Sequence, residues 1–318
     1  MTSTGILNGK LVTLFGGGGF LGKHVAQALM LAGARVRVVQ RHPEKAYGVR
    51  ALGNLGQCQL VTADAANEDA AVRAAQDSDA IVNLVGILKG DFEHAHHHVA
   101  ANTAAAAKAT AARALVHISA IGADADSPSA YGRSKAAGEL AARFIFPATT
   151  ILRPSIVFGR GDQFINRFAS MMTLSPFVPV ISGKTRFQPV FVGDVAEAVV
   201  SAVANPGVHG GKTYALGGPQ VMSMRGLLEW IAQATGRNPV YLDVPDFAAR
   251  ALAAATGWLP GAPITKDQMA MLSRDNVAGD APGLAALGIA PTPIAAVAGE
   301  WLDIYRPHGR FAGKRAAA

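Results

Sequence analysis

The feature that most constrains this chain is a glycine cluster that directly follows a short apolar run. The run Leu11–Phe15 leads straight into Gly16-Gly-Gly-Gly-Phe-Leu-Gly22, where two spacings coincide, Gly16-x-x-Gly19-x-x-Gly22 and Gly17-x-Gly19-x-x-Gly22. Between a strand and a helix, such glycines allow a tight turn and close approach of the backbone to a pyrophosphate. The helix N-terminus then offers free N–H groups to the phosphates. The cluster therefore predicts dinucleotide binding.

Short apolar runs alternate with alanine-rich segments through the first half of the chain, as in a parallel sheet whose strands are buried on both faces. Six strands are predicted at Leu11–Phe15, Arg35–Gln40, Gln59–Thr62, Ala80–Val85, Leu115–Ser119 and Thr149–Leu152. Helices are predicted near 20–32, 67–76, 92–112 and 131–145. This alternation predicts an α/β fold with a doubly wound parallel sheet, the Rossmann fold.

After residue 155 prolines interrupt this rhythm, and helices are predicted near 192–204, 223–236, 245–256 and 293–305. We expect a dinucleotide-binding domain over 1–155. A smaller C-terminal α/β cap that binds substrate is expected over 156–307, with some elements returning to the sheet. A basic flexible tail is expected over 308–318.

Composition excludes several classes of protein. Half of the residues are hydrophobic and 16% are charged, which argues against disorder and against a coiled coil. One cysteine, Cys58, excludes an intramolecular disulfide. The net charge is +7, and four of the positive charges lie in the last thirteen residues. The sequence contains no basic stripe with interleaved aromatic residues, the pattern that would indicate nucleic-acid binding. No run predicts a signal peptide or a transmembrane segment, so we expect a cytoplasmic protein, with peripheral association at the inner face of a membrane as the alternative.

The end of the second predicted strand bears on which dinucleotide binds. A site that prefers NAD places an acidic residue there to hold the ribose hydroxyls. Here the strand ends Val38-Val-Gln-Arg-His42, with no carboxylate before Glu44, and Arg41 offers a guanidinium fork for a 2′-phosphate. We therefore expect NADP(H), with NAD(H) as the alternative. Asp64, after the third strand, is placed to accept from the adenine amino group, or else to cap the next helix.

A tyrosine and a lysine, Tyr131 and Lys135, are spaced i and i+4 and would share one face of a helix. A nearby ammonium lowers the pKa of a phenol, so that the tyrosine can exchange protons near neutral pH. Ser119, at the end of the fifth predicted strand, lies 12 residues before Tyr131. The catalytic residues predicted are Tyr131, Lys135 and Ser119.

Several further segments carry a resemblance to a known family: Val39-Gln-Arg-His-Pro43, Val116-His-Ile-Ser-Ala-Ile-Gly-Ala123, Ile151-Leu-Arg-Pro-Ser-Ile-Val-Phe-Gly159, Gln188-Pro-Val-Phe-Val-Gly-Asp-Val-Ala196 and Tyr214-Ala-Leu-Gly-Gly-Pro219. With the glycine turn and the Tyr-Lys pair, the chain resembles an atypical extended short-chain dehydrogenase/reductase of the NAD-dependent epimerase/dehydratase family. It is most similar to the group of the 39 kDa NADPH-binding accessory subunit of respiratory complex I. The resemblance covers about residues 8 to 307.

The cofactor contacts that we expect are Gly16, Gly18, Gly19, Phe20, Leu21, Gly22, Arg41, Asp64, Val85, Gly86, Tyr131, Lys135 and Pro154.

Two positions depart from the catalytic tetrad of Asn, Ser, Tyr and Lys that the resemblance implies. The run Ser119-Ala-Ile121 retains one hydroxyl where extended members carry several, and the expected asparagine falls near His96, with Asn102 out of register. Within His94-Ala-His-His-His98, His94 and His98 have a spacing that can share a metal ion. No further ligand beyond Glu93 has a helpful spacing, so no metal is expected.

Three hypotheses about function follow. The first is an NADP(H)-dependent oxidoreductase acting on an apolar carbonyl or quinone-like substrate. The second is a non-catalytic NADPH-binding accessory or assembly factor of a respiratory or ubiquinone-biosynthesis complex. The third is a sensor that reports the NADP⁺/NADPH ratio to a partner.

Overall fold

A computed structural model describes residues 5–257, 264–307 and 309. The first half contains, in chain order, β1 (Leu11–Phe15), α1 (Phe20–Leu31), β2 (Arg35–Gln40), a 3-10 turn (Pro43–Ala46), α2 (Tyr47–Arg50), β3 (Cys58–Thr62), α3 (Glu68–Ala74), β4 (Ala80–Asn83), a π-helical turn (Glu93–His98), α4 (Val99–Ala109), β5 (Ala114–Ile118), α5 (Ala130–Ile145) and β6 (Thr150–Pro154).

The second half is built from shorter elements. They are β7 (Val157–Phe158), α6 (Ile165–Leu174), β8 (Phe177–Ile181), β9 (Arg186–Phe187), β10 (Val190–Phe191), α7 (Val192–Ala204), α8 (Pro206–His209), β11 (Thr213–Leu216), β12 (Met222–Ser223), α9 (Met224–Ala234), β13 (Val240–Val244), α10 (Asp246–Thr256), α11 (Lys266–Leu272), a 3-10 turn (Leu284–Leu287), α12 (Ile294–Val297), α13 (Gly299–Leu302) and a 3-10 turn (Asp303–Tyr305).

Seven parallel strands form the central sheet in the order β11-β6-β5-β4-β1-β2-β3. The chain runs outward from β1 to β3, returns to β4 on the other side of β1, and then runs outward again. This reversal confirms the predicted doubly wound sheet. In such sheets ligands bind beyond the carboxyl ends of the strands, at the point where the order reverses, which here lies between β1 and β4.

The sheet is stabilised by apolar packing on both of its faces. Every residue of β1 and β5 is buried, and the alanines of α4 that face the core, among them Ala100, Ala104 and Ala107, are fully buried. Small side chains on α4 let it pack closely against α3 and α5. The near-continuous apolar strands recognised in the sequence therefore lie where covering helices on both faces require them.

The element boundaries differ from prediction in two informative places. Strand β4 ends at Asn83 rather than Val85, because the Asn83 Oδ1 accepts from the Val85 N–H at 3.1 Å and turns the chain. The helix predicted over 92–112 begins instead as a π-helical turn over 93–98.

The chain divides into two compact units. The first comprises Met1–Pro154, Val192–Leu216 and Gly279–Ala290, and holds the whole seven-stranded sheet; the second comprises the remaining residues. The second unit contains three two-stranded sheets around an apolar core that includes Phe158, Ile165 and Leu227. The basic tail expected over 308–318 lies outside the described residues, apart from Gly309. Within the part of the chain that is described, no helix is long and apolar enough to cross a lipid bilayer.

Candidate functional site

The glycine turn follows β1 at the point where the strand order reverses. Gly16 has a φ of +84°, and a Cβ there would lie 3.2 Å from the side chain and the backbone nitrogen of Val85. A Cβ on Gly22 would lie 2.6 Å from backbone atoms of Gly17. The fold itself therefore requires glycine at Gly16, for backbone conformation and space, and at Gly22, for helix–strand packing.

Gly19 is different, because the space around it is open. It is the N-cap of α1 with extended backbone angles, and a Cβ there would meet only the Gly16 carbonyl oxygen, at 3.5 Å. No side chain caps this helix and its first turn contains no acidic residue. The N–H groups of Phe20, Leu21 and Gly22 have no acceptor within the helix. An open cradle above uncompensated N–H groups fits a pyrophosphate.

Gln40, the last residue of β2, contacts the glycine turn, an interaction that the sequence interpretation missed. Its Oε1 accepts from the Gly18 N–H at 3.0 Å, so this predicted cofactor contact is already engaged within the protein. The sequence did contain a signal for this contact. Gln40 is a polar residue at the end of β2, where NAD-preferring sites carry an acidic residue. Arg41 follows directly and is exposed.

Asp64 does not cap the next helix, which corrects the alternative that we considered for it. Its Oδ1 accepts from the Ala66 N–H at 3.0 Å, whereas Asn67 caps α3 by accepting from the Ala70 N–H. Asn102 donates to the carbonyl oxygen of Ala65 at 3.1 Å. It therefore supports the loop after β3, consistent with its being out of register for catalysis.

The segment after β4 meets α5 at Gly86. A Cβ on Gly86 would lie 3.2 Å from Nζ of Lys135, so a glycine leaves room for the ammonium group. Gly86 is exposed and Val85 is half-buried. The predicted residues Val85, Gly86 and Lys135 are therefore brought together.

Helix α5 positions the tyrosine and the lysine. Ser129 caps it by accepting from the Gly132 N–H at 2.9 Å, which places Tyr131 in its first turn. Nζ of Lys135 lies 6.0 Å from the centroid of the Tyr131 ring. Burial raises the pKa of Tyr131 to about 12 and lowers the pKa of Lys135 to about 8, although the Glu139 carboxylate opposes the shift of Lys135. The lowered phenol pKa that we expected is therefore wrong for this structure, because desolvation dominates.

Ser119 lies beside this pair, directly after β5. Nζ of Lys135 donates to the carbonyl oxygen of Ile118 at 3.2 Å, one residue before Ser119. The Ser119 side chain is buried, and its Oγ has no hydrogen-bond partner among the described residues. An unpaired buried hydroxyl is costly, and such groups are often completed by a ligand or a water molecule.

His96 occupies the place where the resemblance implied an asparagine. It is buried; its Nε2 accepts from the Ile87 N–H at 3.0 Å and its Nδ1 lies 2.8 Å from Oγ of Ser134. Its ring packs edge-on against Tyr131 at 5.4 Å between centroids. Burial, with a smaller effect of Lys135, lowers the pKa of His96 to about 3, so the ring is neutral. It ties the loop after β4 to α5.

His117 on β5 is a second buried histidine that the sequence did not single out. Its Nδ1 lies 3.1 Å from the Asn83 amide nitrogen, while its Nε2 is buried and has no hydrogen-bond partner among the described residues. Burial chiefly, and then Lys135 and His96, lower its pKa. The only signal in the sequence for this buried histidine was its position within an otherwise apolar predicted strand.

Pro154 is buried at the end of β6, where its carbonyl oxygen accepts from the Ile121 N–H at 3.0 Å. All of the predicted residues thus lie at or just beyond the carboxyl ends of the strands, or in the first two turns of α1 and α5.

The family profile described as "NAD dependent epimerase/dehydratase family" matches residues 12–217, which is more than half of the chain. The chain belongs to this family. The matched range contains each of the site residues described above.

This family member is similar to the rat protein "NADH dehydrogenase [ubiquinone] 1 alpha subcomplex subunit 9, mitochondrial", with 34% identity over 297 residues that cover 91% of this chain and 78% of that protein. It is also 31% identical over 201 residues to a "Ceramide reductase" of Caulobacter vibrioides, which covers 62% of each chain. Among solved structures, "NADPH-dependent quinone oxidoreductase QOR2" from Escherichia coli has a TM-score of 0.70 at 20% identity and covers 90% of this chain and 97% of that one. That likeness shows the fold.

The site of this family member therefore combines an open glycine turn at the start of α1 with the half-buried Tyr131, the buried Lys135 and the buried Ser119 hydroxyl, which has no hydrogen-bond partner among the described residues.

Proposed function

We propose that this protein is an NADPH-dependent reductase that acts on an apolar carbonyl or quinone-like substrate. The observation that carries the proposal is the unpaired, buried hydroxyl of Ser119 next to the buried Lys135. A hydroxyl that the fold leaves without a partner is suited to hold the oxygen atom of a substrate carbonyl group.

The protonation states favour the reductive direction. With a pKa of about 12, Tyr131 keeps its proton near neutral pH and can donate it from Oη to the carbonyl oxygen. NADPH, when bound at the glycine turn, would supply the hydride, and the products would be NADP⁺ and an alcohol from a ketone or a quinol from a quinone. The ammonium group of Lys135, whose pKa is about 8, can then reprotonate the Tyr131 phenolate, and the neutral amine takes up a proton from solvent.

The preference for NADPH over NADH belongs to the same proposal. The exposed Arg41 follows β2 directly, and the strand ends in Gln40 rather than in a carboxylate that would repel a 2′-phosphate. The proposed cofactor site is completed by the other predicted contacts, which are Gly16, Gly18, Gly19, Phe20, Leu21, Gly22, Asp64, Val85, Gly86 and Pro154.

The proposed substrate class is inferred from the name of a relative and not from the shape of a pocket. The Caulobacter relative is named a ceramide reductase, which is consistent with an apolar substrate here. We propose a cytoplasmic location, with peripheral association at the inner face of a membrane as the alternative.

A second function, that of a non-catalytic accessory protein, is favoured by two separate observations. The rat complex I subunit is similar over 91% of this chain, and His96 replaces the tetrad asparagine implied by the family resemblance. In this alternative the protein binds NADPH as a structural or redox-sensing group and assists a respiratory or quinone-biosynthesis complex without turnover.

Single-turnover oxidation of bound NADPH separates the two functions. Wild type, Tyr131→Phe and the control Tyr47→Phe, whose ring is exposed, are mixed with a panel of quinones and apolar ketones. We expect Tyr131→Phe to react about 10²–10⁴-fold more slowly than wild type, the usual cost of a lost general acid, and Tyr47→Phe to match wild type. Equal rates in wild type and Tyr131→Phe, or no oxidation by any compound offered, would favour the accessory function.

A further inference from the structure

The π-helical turn Glu93–His98 presents metal-ligating side chains on one side. Oε1 of Glu93 lies 2.7 Å from Nδ1 of His97 and 3.9 Å from Nε2 of His98. All three ligand atoms lie within 4.8 Å of one another. A carboxylate and two imidazoles form a donor set that zinc and similar divalent transition ions favour.

The backbone conformation is what assembles this set. In an α-helix, with 3.6 residues per turn, a residue at i+5 lies about 140° around the axis from residue i. In a π-turn the hydrogen bond runs from i to i+5 and the turn is wider than in an α-helix, so both His97 and His98 come close to the Glu93 carboxylate, at 2.7 Å and 3.9 Å. The sequence spacing favoured His94 and His98 as a pair, whereas the π-turn selects Glu93, His97 and His98.

The opposite side of the turn is anchored in the protein. His96 is buried and contacts the Ile87 N–H and Oγ of Ser134, and its ring stacks on Phe92 at 5.5 Å. These contacts orient the turn so that Glu93 and His98 are exposed. Glu93 and His98 are therefore accessible to an ion from solvent, His97 is half-buried beside them, and the backbone that carries all three is held.

The distances are compatible with a bound ion after small movements. Ligands about 2.0–2.2 Å from a tetrahedral zinc lie about 3.4 Å from one another, between the observed 2.7 Å and 3.9 Å. Nδ1 of His97, although close to the Glu93 carboxylate, forms no hydrogen bond of acceptable geometry within the described residues.

We propose that Glu93, His97 and His98 form a binding site for a divalent transition ion of the zinc class, completed by water. The ion would link the two ends of the turn whose inner residue, His96, packs against Tyr131. The site is independent of NADPH turnover, so its test requires no substrate.

Zinc binding is measured by titration calorimetry on the full chain after removal of any affinity tag and treatment with chelator. We expect one equivalent of zinc, with affinity reduced at least 10–100-fold, the range for loss of even a supporting partner, in His97→Ala, His98→Ala and Glu93→Gln. The matched control is His42→Ala, since His42 also lies near a carboxylate, that of Glu44 at 3.4 Å, but belongs to no three-ligand group among the described residues. It should bind zinc as wild type does.

A second measurement uses cobalt as a spectroscopic probe. Tetrahedral coordination by the three side chains and water should give intense visible bands in wild type and in His42→Ala, and these bands should be lost in His97→Ala. Wild type that binds zinc no more tightly than a Glu93→Gln/His97→Ala/His98→Ala variant would overturn the proposal. Loss of binding in His94→Ala with full binding in His97→Ala would also overturn it.

Discussion

Replacing Gly19 by valine should separate nucleotide binding from folding. The backbone of Gly19 has φ −72° and ψ 178°, which any residue adopts, and its Cβ position is open apart from one carbonyl oxygen at 3.5 Å. The valine methyl groups would project over the N–H groups of Phe20, Leu21 and Gly22. They would therefore fill the proposed pyrophosphate position without disturbing the protein.

The expected change in folding stability and the expected loss of NADPH affinity differ enough to be distinguished. Loss of a favourable N-cap costs roughly 0.5–2 kcal/mol, and the reduced freedom of the unfolded chain returns about 0.4–1 kcal/mol, so the net loss of stability should be no more than about 1.6 kcal/mol. Two charged hydrogen bonds to a phosphate are together worth about 3–6 kcal/mol. NADPH affinity should therefore fall by at least about 100-fold.

Gly22→Ala is the contrasting variant. Its Cβ would lie 2.6 Å from backbone atoms of Gly17, which cannot move cheaply, so this variant should lose folding stability first. Urea unfolding and NADPH titration of wild type, Gly19→Val and Gly22→Ala provide the comparison. Wild-type NADPH affinity in Gly19→Val would show that the dinucleotide does not lie on this turn. Equal destabilisation of the two variants would refute the assignment of open space at Gly19.

Two further predictions concern charge. Arg41→Ala should weaken NADPH binding by about 1.5–3 kcal/mol, the range for a charged hydrogen bond, and leave NADH binding unchanged; equal NADPH and NADH affinities in wild type would contradict it. Lys135 has a folded-state pKa of about 8 against an ordinary value of 10.5, so between these values the unfolded chain binds more protons and stability rises with pH. Urea unfolding of wild type and Lys135→Met measures this effect. From pH 8 to 10.5 the free energy of unfolding of wild type should increase by up to about 3 kcal/mol relative to that of the variant. A difference between the two proteins that stays constant over this range would show that the pKa of Lys135 is not lowered.

The central sheet could be predicted because its information is local. A strand buried on both faces must be apolar, and the glycines after β1 satisfy constraints within a few residues of themselves, as at Gly16 and Gly22. The i, i+4 spacing of Tyr131 and Lys135 likewise survived intact, because α5 is a regular helix capped by Ser129.

What the sequence could not supply are interactions between distant segments. Gln40 engages Gly18 across 22 residues, and His96 meets Ser134 across 38. The π-turn that selects Glu93, His97 and His98 follows no local pattern that we recognised.

The sequence by itself thus determined the fold and the set of residues at the carboxyl edge of the sheet, because burial and backbone conformation impose residue types position by position. The tertiary structure alone decided their chemical state. Only packing shows that Lys135 and Tyr131 are desolvated toward their neutral forms, and that Ser119 has no hydrogen-bond partner within the described part of the chain. Desolvation and hydrogen bonding depend on every segment that surrounds a group. The spacing of residues along the chain therefore does not predict either of them.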